Sequence, residues 1–159
     1  MTDDQSSDTP LWAFSLAVYA SDGVADECLA LQDACGLDVN LLLAAAYLGA
    51  VEGMRLDAAD IAAMGAAVAD WHANIVRPLR QARRALKGKN AEPLRTQVKA
   101  SELEAEKIEQ TVLWHWSRQA LAGRSRAVEA LKENVRATLA FYGAEGKAVP
   151  NLLAAAAGY

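Results

Sequence analysis

The chain has 159 residues, a formal net charge of −4 at pH 7 and a composition that is 53% hydrophobic, with few glycines and prolines. A chain this long suits one domain and buries roughly 70% of the surface its unfolded form exposes; its wealth of alanine, leucine, glutamate and arginine makes all-α the expected class. The longest apolar run, LLLAAAYLGAV (41–51), is too short to span a bilayer, and the acidic balance disfavours a nucleic-acid partner.

Residues 1–9 are polar and read as a disordered tail, and the acidic start MTDDQSSDTP is unlike a secretory signal, so the expected location is the cytoplasm. Thr9 can cap a first helix over about 10–20, with Pro10 at its first position and Leu11, Phe14, Ala17 and Val18 as its inward stripe. Asp22 is the expected cap of a helix over about 23–35, with Val24, Cys28, Leu31 and Cys35 inward and Gly36 as its stop. Seven residues of helix hold the two cysteines about 10 Å apart along the axis, too far for a disulfide, so both are expected as free, buried small hydrophobes.

Asp38 can cap a helix over about 39–49 that is apolar nearly all round, which marks it as the central buried one. Asp57 opens the next helix with Asp60 in its first turn, and the helical pattern then runs to Leu86, broken by Pro78. Either the helix kinks there, or Arg77 ends one helix and Pro78 begins another. After a turn at Gly88–Asn90, a long helix is expected from near Pro93 to about Leu121, then a further one over about 125–142 ended by Gly143. The domain reading is therefore a tail (1–9), a bundle of about six helices (10–143) and a short, weakly apolar C-terminal segment (144–159) able to form a helix.

Charge is divided unevenly along the chain: residues 1–70 hold twelve acids and one base, residues 71–159 eight acids and fifteen bases. The halves either match one another or serve different partners. RPLRQARRALKGK (77–89) concentrates six of the bases. On a helical wheel Arg77, Arg80, Arg83, Arg84 and Lys87 share one arc of about 120°. If the flanking helices form a hairpin centred near residue 90, Glu102 to Glu109 lie beside residues 71–78. Arg77 then finds a glutamate, and Arg80 to Lys87 mostly do not. The basic tip so formed needs an anion, either the acidic N-terminal half of the chain or an external ligand.

Gln32, Asp33, Asp38 and Asn40 cluster around the turn between the second and third helices, either as caps and turn formers or as the polar lip of a pocket facing the arginines. Trp71 and His72 border the basic stretch. Glu102, Glu106 and Glu109 share one side of their helix, but neither His72 nor His115 follows a glutamate by three residues, as a di-metal bundle requires, so no metal and no cofactor are expected. Trp116 continues an apolar stripe with Leu94, Val98, Ala105, Ile108 and Val112 that reads as core, and Trp114 joins Leu103 and Leu121 on the opposite side. No phosphate loop, nucleophile elbow or Cys/His pair is present in the sequence.

LWAFSLAVYASDGVADECLALQDACGLDVNLLL (11–43) resembles the N-terminal signature of a bacterial family of conserved hypothetical proteins, a domain of unknown function. WHANIVRPLRQARRALK (71–87) and ELEAEKIEQTVL (102–113) are similar to that family's second half, so the resemblance extends over about residues 11–121. It implies a small all-helical cytoplasmic protein and carries no activity. Matching motif to motif marks Trp12, Gln32, Asp33, Asp38, Asn40, Trp71, Arg77, Pro78, Arg80 and Glu106 as family-like positions.

Two functional readings follow. The first is a non-enzymatic interaction module that meets a protein partner or a second copy of itself. The alternative is a binder of, or enzyme for, a small anionic ligand between the 32–40 turn and the 77–84 helix edge. Its candidate residues are Gln32, Asp33, Asp38, Asn40, Trp71, Arg77, Arg80 and Arg84, because arginine forks suit carboxylate and phosphate. Nucleic-acid association through the basic tip is a weaker third.

Overall fold

A computed structural model describes residues 8–159 of the chain. The expected disorder of residues 1–9 falls mostly on residues 1–7, which lie outside the described residues. Eight α-helices and one π-helical turn make up the described part, with no strand among the described residues. The helices are α1 (Pro10–Tyr19), α2 (Val24–Cys35), α3 (Val39–Ala50), α4 (Ala58–Trp71), α5 (Arg77–Ala85), α6 (Glu92–Ala120), α7 (Ala130–Phe141) and α8 (Pro150–Ala157), and the π turn is His72–Val76. The fold is an all-α bundle, and no helix among the described residues is long and apolar enough to cross a membrane.

Local chemistry explains most boundaries. The Thr9 hydroxyl accepts from the Trp12 N–H and Pro10 takes the first turn of α1. Asp38 accepts from the N–H groups of Asn40 and Leu41 to start α3, and Asp57 and Asp60 form a reciprocal capping box on α4. Gly36 ends α2 in the left-handed conformation at φ 68°. The start of α2 departs from expectation: its cap is Gly23, also left-handed, and no side chain caps the helix, so Asp22 does not play that part.

Helix α3 is the centre. From Asn40 to Gly49 every residue is buried, and α1, α2, α4, α6, α7 and α8 all pack on it. Its approach to α7 depends on Gly49, because a Cβ there would lie 2.5 Å from the Leu131 Cα. The core proper joins Leu11, Phe14, Cys28, Leu41, Leu42, Leu48, Ile61, Met64, Leu113, Leu152 and their neighbours. In α1 Ser15 is buried and Ala17 exposed, a reversal of the expected stripe. Both cysteines are free, Cys28 buried and Cys35 partly so.

Of the two alternatives at Pro78, a new helix that begins there is not taken. The helix continues through, but His72–Val76 widen into a π turn in which the Arg77 N–H bonds the His72 carbonyl. Proline lacks an N–H and its ring crowds the carbonyl four residues earlier. A wider turn relieves that crowding without ending the helix, at the cost of rotating everything downstream.

Two other segments differ from the sequence reading. The last long helix begins at Ala130 rather than near residue 125, because residues 121–129 are tied down as a loop. Arg124 makes two bonds to Asp60, at 2.7 and 2.8 Å, Arg126 reaches the Val51 carbonyl, and the Ala127 N–H bonds Gly53 O. The C-terminal segment forms α8, whose first N–H groups bond the Glu27 carboxylate of α2 while Leu152 and Ala156 enter the core. Several acids of the first half thus meet bases of the second: Asp8–Lys107, Asp33–Arg84, Glu52–Arg118 and Asp60–Arg124.

Candidate functional site

Helix α6 does not bury the apolar stripe that its sequence advertises. Leu94, Ile108 and Val112 are exposed, and the inward face is Glu102, Ala105, Glu109, Gln110, Leu113 and Ser117. Trp116 is partly buried rather than core; Trp114 packs on the Tyr47 ring at 5.7 Å with the Arg118 guanidinium over it. Two carboxylates and a carboxamide therefore enter the interior, and each has partners waiting on other elements.

The partners on α5 are arginines. Arg80 donates to Glu102 at 3.2 Å and to Glu106 at 2.9 Å, Arg83 forks onto Glu102, and Arg84 reaches Asp33 of α2 at 3.2 Å. Arg77 is exposed. This corrects the expectation that Arg80 to Lys87 mostly find no glutamate while Arg77 does. Side chains on a helix lean toward its N-terminus. In this antiparallel hairpin the arginines of α5 lean away from the tip and the glutamates of α6 lean toward it, so they meet where a comparison of Cα heights says they do not. The Glu102 hydrogen bond raises the Arg83 guanidinium, whereas burial pushes the Glu106 carboxyl above its ordinary range, against the pull of Arg80.

Above these pairs lies a cavity of about 320 Å³ between α1, α2, α3, α5 and α6. Its floor is buried: Ser15, Asn40, Leu43, Glu102 and Gln110. Its rim carries the exposed leucines Leu16, Leu29 and Leu103, together with Lys99 and the half-buried rings of Trp12 and Tyr19. The Gln110 amide donates to Asn40 Oδ1 at 3.0 Å, but Gln110 Oε1 and Ser15 Oγ, both buried, have no hydrogen-bond partner among the described residues. A buried polar atom without a partner costs about 1–3 kcal/mol, and two such atoms belong to residues that line this one cavity.

Beside the cavity three groups converge from distant parts of the chain. His72 Nδ1 lies 3.3 Å from Asp38 Oδ2 and 3.2 Å from Glu109 Oε2. Asp38 and Glu109 are buried and His72 is half-buried. Burial, and then the Asp38 carboxyl, hold Glu109 far above the ordinary carboxylate range. Burial lowers the His72 imidazole, with Asp38 opposing and Arg80 and Arg77 assisting. The His72–Glu109 contact, at an ion-pair distance, thus lies between two groups that burial drives toward their neutral forms. Burial, and then Asp38, also raise the Tyr142 phenol of α7.

The sequence-derived candidates are thus dispersed. Gln32, Asn40 and Arg80 line the cavity. Asp38 caps α3 and also faces His72. Asp33 and Arg84 pair with each other on the outside. Trp71 donates from Nε1 to the Ala105 carbonyl at 2.9 Å and lines a separate shallow depression with Ile75, Leu79 and Ile108. His72, Glu109, Gln110 and Ser15 were not among the candidates. Of these only Glu109 had a legible signal, its spacing with Glu102, Ala105 and Leu113, which places the acids on a helix face shared with apolar residues.

The family model described as "Protein of unknown function (DUF2390)" matches residues 10–113, and the chain belongs to that family. The matched span contains every cavity-lining residue as well as Asp38, His72 and Glu109. No curated protein and no solved structure matches the chain.

Proposed function

We propose that this DUF2390 protein is a small-ligand-binding protein whose ligand occupies the cavity between α1, α2, α3, α5 and α6. The observation that carries the reading is the pairing of that cavity, about 320 Å³ in volume, with two unpartnered buried polar atoms in its lining residues, Ser15 Oγ and Gln110 Oε1. The volume falls at the lower end of the roughly 300–1,000 Å³ usual for small-molecule sites.

The lining sets the chemistry of the guest. Leucines and aromatic rings call for an apolar body. Gln110 Oε1 accepts and Ser15 Oγ donates or accepts, so the inner end of the ligand carries a hydrogen-bonding group. Arg80 is engaged by Glu102 and Glu106, which leaves Lys99 and the outer side of Arg83 to receive a carboxylate or phosphate at the rim. An amphipathic anion fits these demands together.

Titration with anilinonaphthalene sulfonate, an amphipathic anionic dye, tests this. One saturable site per chain is expected, and Leu103→Glu or Lys99→Glu, both at exposed rim positions, should weaken it about tenfold or more, an effect of about 1.4 kcal/mol. Equal dye affinity in wild type and both variants contradicts the reading. So does a Leu103→Glu variant that changes the oligomeric state and leaves dye binding alone, which would make the leucine rim a protein-interaction surface.

A further inference from the structure

We infer that Asp38, His72 and Glu109 bind one divalent transition-metal ion, with an imidazole nitrogen and two carboxylate oxygens as the protein ligands. Among the described residues they form a cluster whose ligand atoms all lie within 4.8 Å of one another. The nitrogen-to-oxygen spacings are 3.3 Å to Asp38 and 3.2 Å to Glu109. Ligands about 2.0–2.1 Å from a tetrahedral ion stand about 3.3–3.4 Å apart, so these two spacings are compatible with a bound ion as they stand.

Asp38 is held from behind, and the other two ligands are placed by the elements that carry them. Asp38 Oδ1 is fixed by the Asn40 and Leu41 N–H groups at 2.9 and 3.4 Å, which turns Oδ2 toward His72. His72 opens the π turn, and its neighbour Trp71 is pinned to the Ala105 carbonyl of α6. Single π turns recur at functional sites because they re-aim a side chain within a continuous helix. Glu109 projects from the middle of α6 and is fully buried.

Charge points the same way. Arg80 is spent on Glu102 and Glu106, and the carboxyls of Asp38 and Glu109 have no arginine or lysine partner among the described residues. A divalent cation neutralises them, where an unpaired buried carboxylate is strongly disfavoured. One imidazole with two carboxylates suits Zn²⁺, Mn²⁺ or Fe²⁺ better than soft Cu⁺ or an all-oxygen Ca²⁺ site. Three protein ligands leave coordination positions open to water or a substrate. The inference is independent of what fills the neighbouring cavity.

The untagged, chelator-stripped full chain titrated with Co²⁺ alone, then with Zn²⁺ as competitor, decides the matter. Expected are one Co²⁺ per chain, visible absorption bands that Zn²⁺ abolishes, and an unfolding midpoint that rises with metal. Glu109→Gln, which keeps shape and removes charge, should lower affinity about tenfold or more and abolish that rise with the helical circular-dichroism spectrum unchanged. His72→Asn should behave alike, and the rim variant Leu103→Glu should bind Co²⁺ as wild type does. The wild-type melting response does not depend on any variant's folding. Failure of the wild type to take up Co²⁺, Zn²⁺ or Mn²⁺, or equal uptake by Glu109→Gln, overturns the inference and leaves the triad a hydrogen-bonded group sharing protons.

Discussion

Two buried regions meet at α3 and are built on opposite principles. On one side Leu41, Leu42 and Leu48 pack with Phe14, Ile61 and Met64. At the other, the α3 N-terminus with Asp38 and Asn40 faces Glu102, Glu106, Glu109 and Gln110 of α6, His72 of the π turn and Arg80 of α5. The apolar region is stabilised by area removed from water, about 1.5–3 kcal/mol per large side chain, whatever the direction of each contact. The polar seam gains little or nothing net from its ion pairs, because desolvation offsets them, and it depends on every partner being in place. Stability therefore explains the first region, and on the proposed reading ligand binding explains the second.

That contrast can be broken by substitution. Arg80→Met leaves the half-buried Glu106 without an ion-pair partner and Glu102 with Arg83 alone, so a loss of about 3–5 kcal/mol is expected in urea unfolding. Leu42→Ala, in the fully buried apolar side of α3, should cost about 2–5 kcal/mol, governed by how far the neighbours collapse into the space. The two losses are similar in size and differ in remedy: the seam can be repaired by removing the remaining charges, the core only by restoring volume.

A third setting sharpens the scale. Asp60 accepts from the Asp57 N–H in the α4 capping box and is paired with Arg124, whose side chain is 40% exposed. The Arg124 hydrogen bond holds the Asp60 carboxyl below its ordinary value. A lowered carboxyl stabilises the fold above its unfolded pKa and loses that contribution as pH falls through the folded one. Wild type should accordingly lose more stability than Asp60→Asn between about pH 5 and pH 2, by less than either interior variant, as urea midpoints across that range will read.

The apolar region was legible in the sequence and the seam was not, for a physical reason. The run from Leu41 to Leu48, the Asp38 and Asp57 caps and the Gly36 stop are local signals that act within a few residues. The burial of Glu102 and Glu109 is decided by Arg80, Arg83 and His72, which arrive from elsewhere in the chain. Hydrophobic patterning assigns Leu94, Ile108 and Val112 to the inside, and here those partners win. Pro78 announced a disturbance, but not that it would be a π turn aiming His72 inward. Gln32, Asn40 and Arg80 could be nominated for the cavity because polar and basic residues near a turn draw notice. Ser15 and Gln110 draw none until they are seen buried without a partner.

The claim that the polar seam serves binding rather than stability is tested most directly by the unfolding free energy of Arg80→Met/Arg83→Met/Glu102→Leu/Glu106→Leu in the absence of any ligand, which removes both arginines together with the acids they pair with. Replacing buried ion pairs by apolar groups of similar volume is often neutral or stabilising by about 1–4 kcal/mol, so a variant at least as stable as wild type that no longer binds the amphipathic dye is expected. A variant several kcal/mol less stable than wild type, as Arg80→Met alone is expected to be, would make the seam a structural element and contradict that claim.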